Sequence, residues 1–75
     1  MKIRIKMIGP LMYEAGFSEK EMDIPVATTA EKLLDRIDIS KQRPKIMTRN
    51  GKAIAPDEIL EDGDKIAISP IYSGG

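Results

Sequence analysis

The side chains that carry most enzymatic chemistry at neutral pH are missing here: among 75 residues there is no cysteine and no histidine. Disulfides, thiolate nucleophiles, cysteine-held zinc and iron–sulfur clusters are excluded, and so is the usual general base near pH 7. Asp62 and Asp64 suggest a Mg²⁺ or Ca²⁺ site at first sight. They flank a glycine in Glu61-Asp62-Gly63-Asp64, a turn signal, and the alternating oxygen ligands of a calcium loop are absent, so no metal site is expected. Lys plus Arg is 12 and Asp plus Glu is 12, for zero formal charge. Only Tyr13, Phe17 and Tyr72 are aromatic, which argues against a nucleic-acid partner. What remains is a set of solvated lysines, any of which can in principle accept an isopeptide bond, and the ending Tyr72-Ser73-Gly74-Gly75.

The elements that must position this ending follow from periodicity. Lys2, Arg4 and Lys6 alternate with Ile3, Ile5 and Met7, the period-2 mark of a half-buried strand. With charge at every second residue, this N-terminal stretch contains neither a signal-peptide core nor a membrane span; a cytoplasmic protein without a membrane partner is expected. Gly9-Pro10 breaks the run and opens a loop over 9–18. Glu21-Met22-Asp23-Ile24 alternates again up to Pro25. The two strands should pair antiparallel, basic residues of the first facing Glu19, Glu21 and Asp23.

Thr28-Thr29-Ala30-Glu31 fits a capping box with Thr28 as the cap, and Ala30, Leu33, Leu34 and Ile37 form one apolar stripe of a helix. The helix should stop near Ser40, and Pro44 ends it before Lys45. A third strand is expected over Lys45–Arg49, followed by the hairpin signal Asn50-Gly51 and a short return through Lys52-Ala53-Ile54. Pro56 closes that strand, Asp57–Leu60 reads as a single helical turn, and a last strand places Ile66 and Ile68 on one face and Ala67, Ser69 and Ile71 on the other.

A length of 75 residues with a hydrophobic share of 41% suits one small globular domain. The order strand, strand, helix, strand, short strand, strand is an α+β plan, a mixed sheet with one helix on one face. It is the β-grasp arrangement of ubiquitin, with the domain over residues 1–71 and a flexible tail over 72–75.

Arg49-Asn50-Gly51, then Leu60-Glu61-Asp62-Gly63-Asp64-Lys65-Ile66-Ala67-Ile68, then Pro70 and the terminal Gly74-Gly75 together resemble the MoaD/ThiS family of ubiquitin-like sulfur carriers. Gly9-Pro10-Leu11 and Glu14-Ala15-Gly16 add agreement in the first loop. Pro70 before a short tail is more like the MoaD branch, the small subunit of molybdopterin synthase, although Ile71 stands where that branch commonly has a second proline. The resemblance implies a carrier and not an enzyme. The carboxylate of Gly75 would be adenylated by a ubiquitin-activator-like adenylyltransferase that consumes ATP, converted to a thiocarboxylate with sulfur from a donor protein, and used by the synthase large subunit. No cofactor would stay bound. A ThiS-like role in thiazole formation, another thiolation pathway, or a ubiquitin-like modifier joined to lysines through Gly75 are the alternatives.

The implied chemistry suits these residues. A carboxylate with pKa about 3.3–3.7 is ionised and inert toward sulfur at neutral pH, so activation must come first. Gly74 and Gly75 lack Cβ and can enter a narrow channel, and Ile71 to Gly75, with Tyr72 and Ser73 between, reaches roughly 16–18 Å when extended. Tyr72 either folds back on the sheet or helps docking. A partner also needs surface near the root of the tail, and alternation suggests Ile8, Met47, Ala67 and Ile71 for it, on the sheet face away from the helix.

Overall fold

A computed structural model describes residues 1–37, 39 and 44–71. An inner strand of its sheet is β1 (Lys2–Met7), in which Ile3, Ile5 and Met7 are buried and Lys2, Arg4 and Lys6 exposed. β2 (Glu19–Asp23) pairs with it antiparallel, from Lys2 opposite Asp23 to Lys6 opposite Glu19. The expected charge pairing is present as Lys2–Glu21 at 3.9 Å and Arg4–Glu19 at 3.2 Å. Both pairs are solvent-exposed, so each is worth at most about 1 kcal/mol.

The connection between these strands is not wholly a loop. Leu11–Ala15 form a short helix, α1, which buries Leu11 and ends at Gly16 with φ of 83°. Five residues are too few for a helical period to show in the sequence, and this helix is held by its packing.

The main helix, α2, spans Ala30–Asp35. Ala30 and Leu33 are buried, as is Ile37 just beyond its end, and Leu34 is half-buried, so the stripe packs as expected. Its cap is one residue later than expected: Thr29 accepts from the Lys32 N–H at 3.2 Å, while the Thr28 hydroxyl donates to the Pro25 carbonyl at 2.6 Å. The reason lies in the segment 56–60. The N–H groups of Ala30 and Glu31 donate to the carbonyls of Glu58 and Pro56, both at 2.9 Å, and Leu60 N–H donates to the Thr28 carbonyl at 2.9 Å. Two of the orphan donors of the helix are thus met by main chain. The same pairing corrects the expected helical turn at Asp57–Leu60, which is a turn followed by a bridge between Ile59 and Thr29. The helix also ends earlier than Ser40, with Arg36 as its C-cap.

β3 (Lys45–Arg49) and β4 (Lys52–Ala53) are joined by Asn50 and Gly51 at φ of 50° and 88°, the positive values a type I′ turn demands. β5 (Lys65–Pro70) runs parallel to β1 and antiparallel to β3, giving the sheet order β2-β1-β5-β3-β4. The helix α2 covers one face, over Ile3, Ile5, Met47, Ile66 and Ile68. The turn 61–64 is fastened to β1. Asp62 Oδ1 accepts from Lys2 N–H, and Gly63 N–H donates to the Lys2 carbonyl, each at 2.7 Å. Asp62 is therefore a turn-fixing residue, which accounts for its place beside Gly63.

Candidate functional site: the open sheet face and the root of the tail

Strand register turns the uncovered face into a grid. Beginning at the β2 edge, one row reads Glu21, Arg4, Lys65, and the next reads Glu19, Lys6, Ala67, Thr48, Ala53. A third row contains Ser69 opposite Ile46. Ile8 joins this row, its N–H continuing the ladder to the Ile68 carbonyl at 2.9 Å. Charge is therefore concentrated toward the entry of β1 and apolar surface toward the exit of β5. Ile8 is 41% exposed and Ile46 39%, large aliphatic side chains that the fold leaves uncovered on the two strands flanking β5.

The expected docking residues are only partly gathered here. Ile8 and Ala67 lie on the open face as expected. Ile71 is 53% exposed and follows β5, its N–H donating to the Pro44 carbonyl at 3.2 Å. With Ile46, Leu34 and Ile54 it lines a groove of about 170 Å³ beside the root of the tail. Met47 is misplaced in the expectation. It is only 6% exposed, stands opposite Ile68 in register, and belongs to the core under α2. Ile46 and Met47 are adjacent and both apolar, so alternation alone leaves the parity of β3 open, and Ile46 takes the outward position. Tyr72, Ser73, Gly74 and Gly75 lie outside the described residues.

One residue that supports this region enters the sequence reading only as part of Arg49-Asn50-Gly51, with no role of its own. Arg49 stands on the helix side of β3. Its guanidinium lies 3.0 Å from Asp64 Oδ2 and 3.6 Å from Glu58 Oε2, and donates to the Ile59 carbonyl at 2.6 Å. Asp64 Oδ2 also accepts from the Glu61 N–H at 2.8 Å. Arg49 thereby ties β3 to the 58–64 segment that caps α2 and leads into β5. Asp64 is occupied as a structural acceptor, and among the described residues no group of three metal-ligating side chains occurs. No helix of the described residues is long and apolar enough to cross a membrane.

A five-stranded mixed sheet with two outer hairpins, a helix across one face and the other face bare defines a β-grasp, ubiquitin-like fold. Residues 5–75 match the model of the ThiS family, and the chain belongs to this family of ubiquitin-like sulfur carriers. Among solved structures, a putative molybdopterin converting factor subunit 1 from Pyrococcus furiosus superposes with TM-score 0.83 at 22% identity, over 96% of this chain and 99% of that one. SAMP1 from Haloferax volcanii, also described as small archaeal modifier protein 1, gives 0.78 at 24% over the whole of both chains. A protein–protein complex of subunits 1 and 2 of molybdopterin-converting factor from Helicobacter pylori gives 0.68 at 18%, again with full coverage. At these identities the likeness establishes the fold. No curated protein matches the sequence significantly.

Proposed function

We propose that this chain is the sulfur-carrying small subunit of a molybdopterin synthase, with the carboxylate of Gly75 as the reacting group. The carrier part of the reading is supported by a family match that runs through Gly74-Gly75 in a chain without cysteine, and the synthase part by the Pyrococcus furiosus neighbour described as a molybdopterin converting factor subunit 1. An adenylating partner of the ubiquitin-activator type would consume ATP to join AMP to that carboxylate. Sulfide-level sulfur from a donor protein would then attack the acyl carbon and break its bond to AMP, which leaves, so that a thiocarboxylate remains. Subunit 2 of the Helicobacter pylori complex illustrates the kind of large subunit that would supply the catalytic side chains. The aliphatic end of the open face, around Ile8, Ala67 and Ile46, and the neighbouring groove at Ile71 would form the docking surface. A four-residue tail alone has too little area to offset its ordering entropy.

A second reading is favoured by the Haloferax volcanii neighbour described as a modifier protein: conjugation of Gly75 to lysines of other proteins. Intact-mass analysis after incubation with an activating enzyme, ATP and a sulfur source separates the two. Replacement of one oxygen by sulfur at Gly75 supports the carrier. Lysine conjugates without thiocarboxylate favour the modifier, and sulfur found elsewhere counts against both.

A further inference from the structure

The charges of the open face are not all neutralised within the chain. Lys2 and Arg4 are paired with Glu21 and Glu19 across the β1–β2 hairpin. Lys6 and Lys65, both exposed, make no ion pair among the described residues. They line a depression of about 350 Å³ together with Arg4, Glu19, Ala67, Thr48 and Gly51, Lys6 beside Ala67 on the neighbouring strand and Lys65 two residues before it on its own. The depression exists because Ala67 and Gly51 carry little or no side chain, while their neighbours in the grid are long. Its lining is largely apolar, and its rim carries a net positive charge because Arg4, Lys6 and Lys65 outnumber Glu19. A partner that covered this face with neutral apolar surface would strip water from two unpaired ammonium groups, which is strongly unfavourable.

Resting on the carrier reading above, we propose that the adenylating partner covers this face with an acidic segment: an apolar side chain seated over Ala67, and aspartate or glutamate side chains beside it, facing Lys6 and Lys65. The depression supplies shape for the one and the lysines supply charge for the others. The chain already displays this pairing chemistry on its own β2, where acidic residues at alternate positions face the basic residues of β1. Electrostatic contacts of this kind chiefly set encounter rate and partner choice, so the lysines would select among activating enzymes that share one carrier fold.

The test is steady-state adenylation of the full chain by its activating enzyme, with the carrier as the varied substrate and salt as the second variable. The double variant Lys6→Glu, Lys65→Glu should raise the KM for carrier by roughly tenfold or more at ~50 mM salt. The gap should narrow to less than about threefold near 1 M, where the screening length falls to ~3 Å. The loss should fall on KM and not on kcat, as an interaction made equally in ground and transition states requires. Ala67→Leu, which fills the depression, should raise KM by an amount that salt does not remove. Lys6→Gln and Lys65→Gln should each give a smaller, salt-sensitive rise, and they retain a readout if the double reversal fails to fold. A carrier KM within twofold of wild type for the reversed variant at low salt would overturn the inference, as would a change confined to the KM for ATP. Failure of the wild-type chain to be adenylated at all would instead remove the carrier reading on which the inference rests.

Discussion

Ile46 and Met47 are neighbours in sequence and should behave as opposites. Met47 is 6% exposed and faces Ile68 in the core, whereas Ile46 is 39% exposed on the bare face. Truncating a buried methionine to alanine costs about 2–5 kcal/mol, the lost transfer energy plus the cavity left behind. A chain of 75 residues has about 4–11 kcal/mol of total stability, at roughly 0.05–0.15 kcal/mol per residue. Met47→Ala therefore consumes a large share of it. With about 4–8 °C per kcal/mol for a domain of this size, the melting temperature should fall by roughly 8–40 °C. Ile46→Ala removes methyl groups already in partial contact with water and should cost about 1 kcal/mol, a fall of a few degrees. The binding assay should invert this order: Ile46→Asp weakens docking of the adenylating partner at ~4 °C, where the variant remains folded, because a charge enters the aliphatic end of the face. Circular dichroism melts and a titration of the activating enzyme suffice. Equal melting shifts for the two alanine variants, or a larger one for Ile46, would show that the assigned parity of β3 is wrong.

Three further outcomes follow from the same geometry. Arg49→Met keeps the stem but deprives the buried Asp64 of its cation, so the urea midpoint should drop by the equivalent of about 1–3 kcal/mol with an unchanged slope; an unchanged midpoint would show that the tie is without weight. Ala27 sits at φ of 71° in the turn closed by Thr28 N–H to the Pro25 carbonyl at 3.3 Å. A left-handed non-glycine residue costs about 1–2 kcal/mol and the added chain freedom of glycine returns roughly 0.5–1, so Ala27→Gly should raise the melting temperature by a few degrees, and a fall would mean the turn is unstrained. Deleting Gly74 and Gly75 should leave the thermal transition within error and abolish adenylation; retained adenylation would refute the assignment of the reacting group.

The sheet was legible because its strands carry strong local signals. The alternation of β1 from Lys2 to Met7, the Asn50-Gly51 turn and the Asp62-Gly63-Asp64 turn each state their own conformation, and the apolar stripe from Ala30 to Ile37 can belong only to a helix. What was not legible depends on distant chain. The cap falls on Thr29 and not Thr28 because the carbonyls of Pro56 and Glu58 take the first amides of the helix, and nothing near residue 28 announces this. The same pairing replaces the expected helical turn at 57–60. Met47 was assigned to the wrong face because Ile46 beside it is equally apolar, and only the cross-strand register with β5 decides between them. Arg49 stands in the quoted run Arg49-Asn50-Gly51, but nothing local there announces its ion-pairing role, since its partners lie 9 to 15 residues further on. Of the residues expected on the bare face, Ile8 and Ala67 lie there, whereas Met47 is buried and its neighbour Ile46 takes the outward position.

The two strands nearest the chain ends, β1 and β5, lie side by side in the middle of the sheet and point the same way, in register from Arg4 opposite Lys65 to Met7 opposite Ile68. A tug on residues beyond Ile71, resisted at the opposite end of the sheet, is therefore carried along the strands while their hydrogen bonds run across them. Those bonds must slide and rupture together instead of opening one at a time as in a peeled hairpin. Tension applied when a partner draws in or releases the last residues would thus meet the stiffest direction of the molecule. The sheet would then act as a rigid handle, its strands β1 and β5 resisting the pull together.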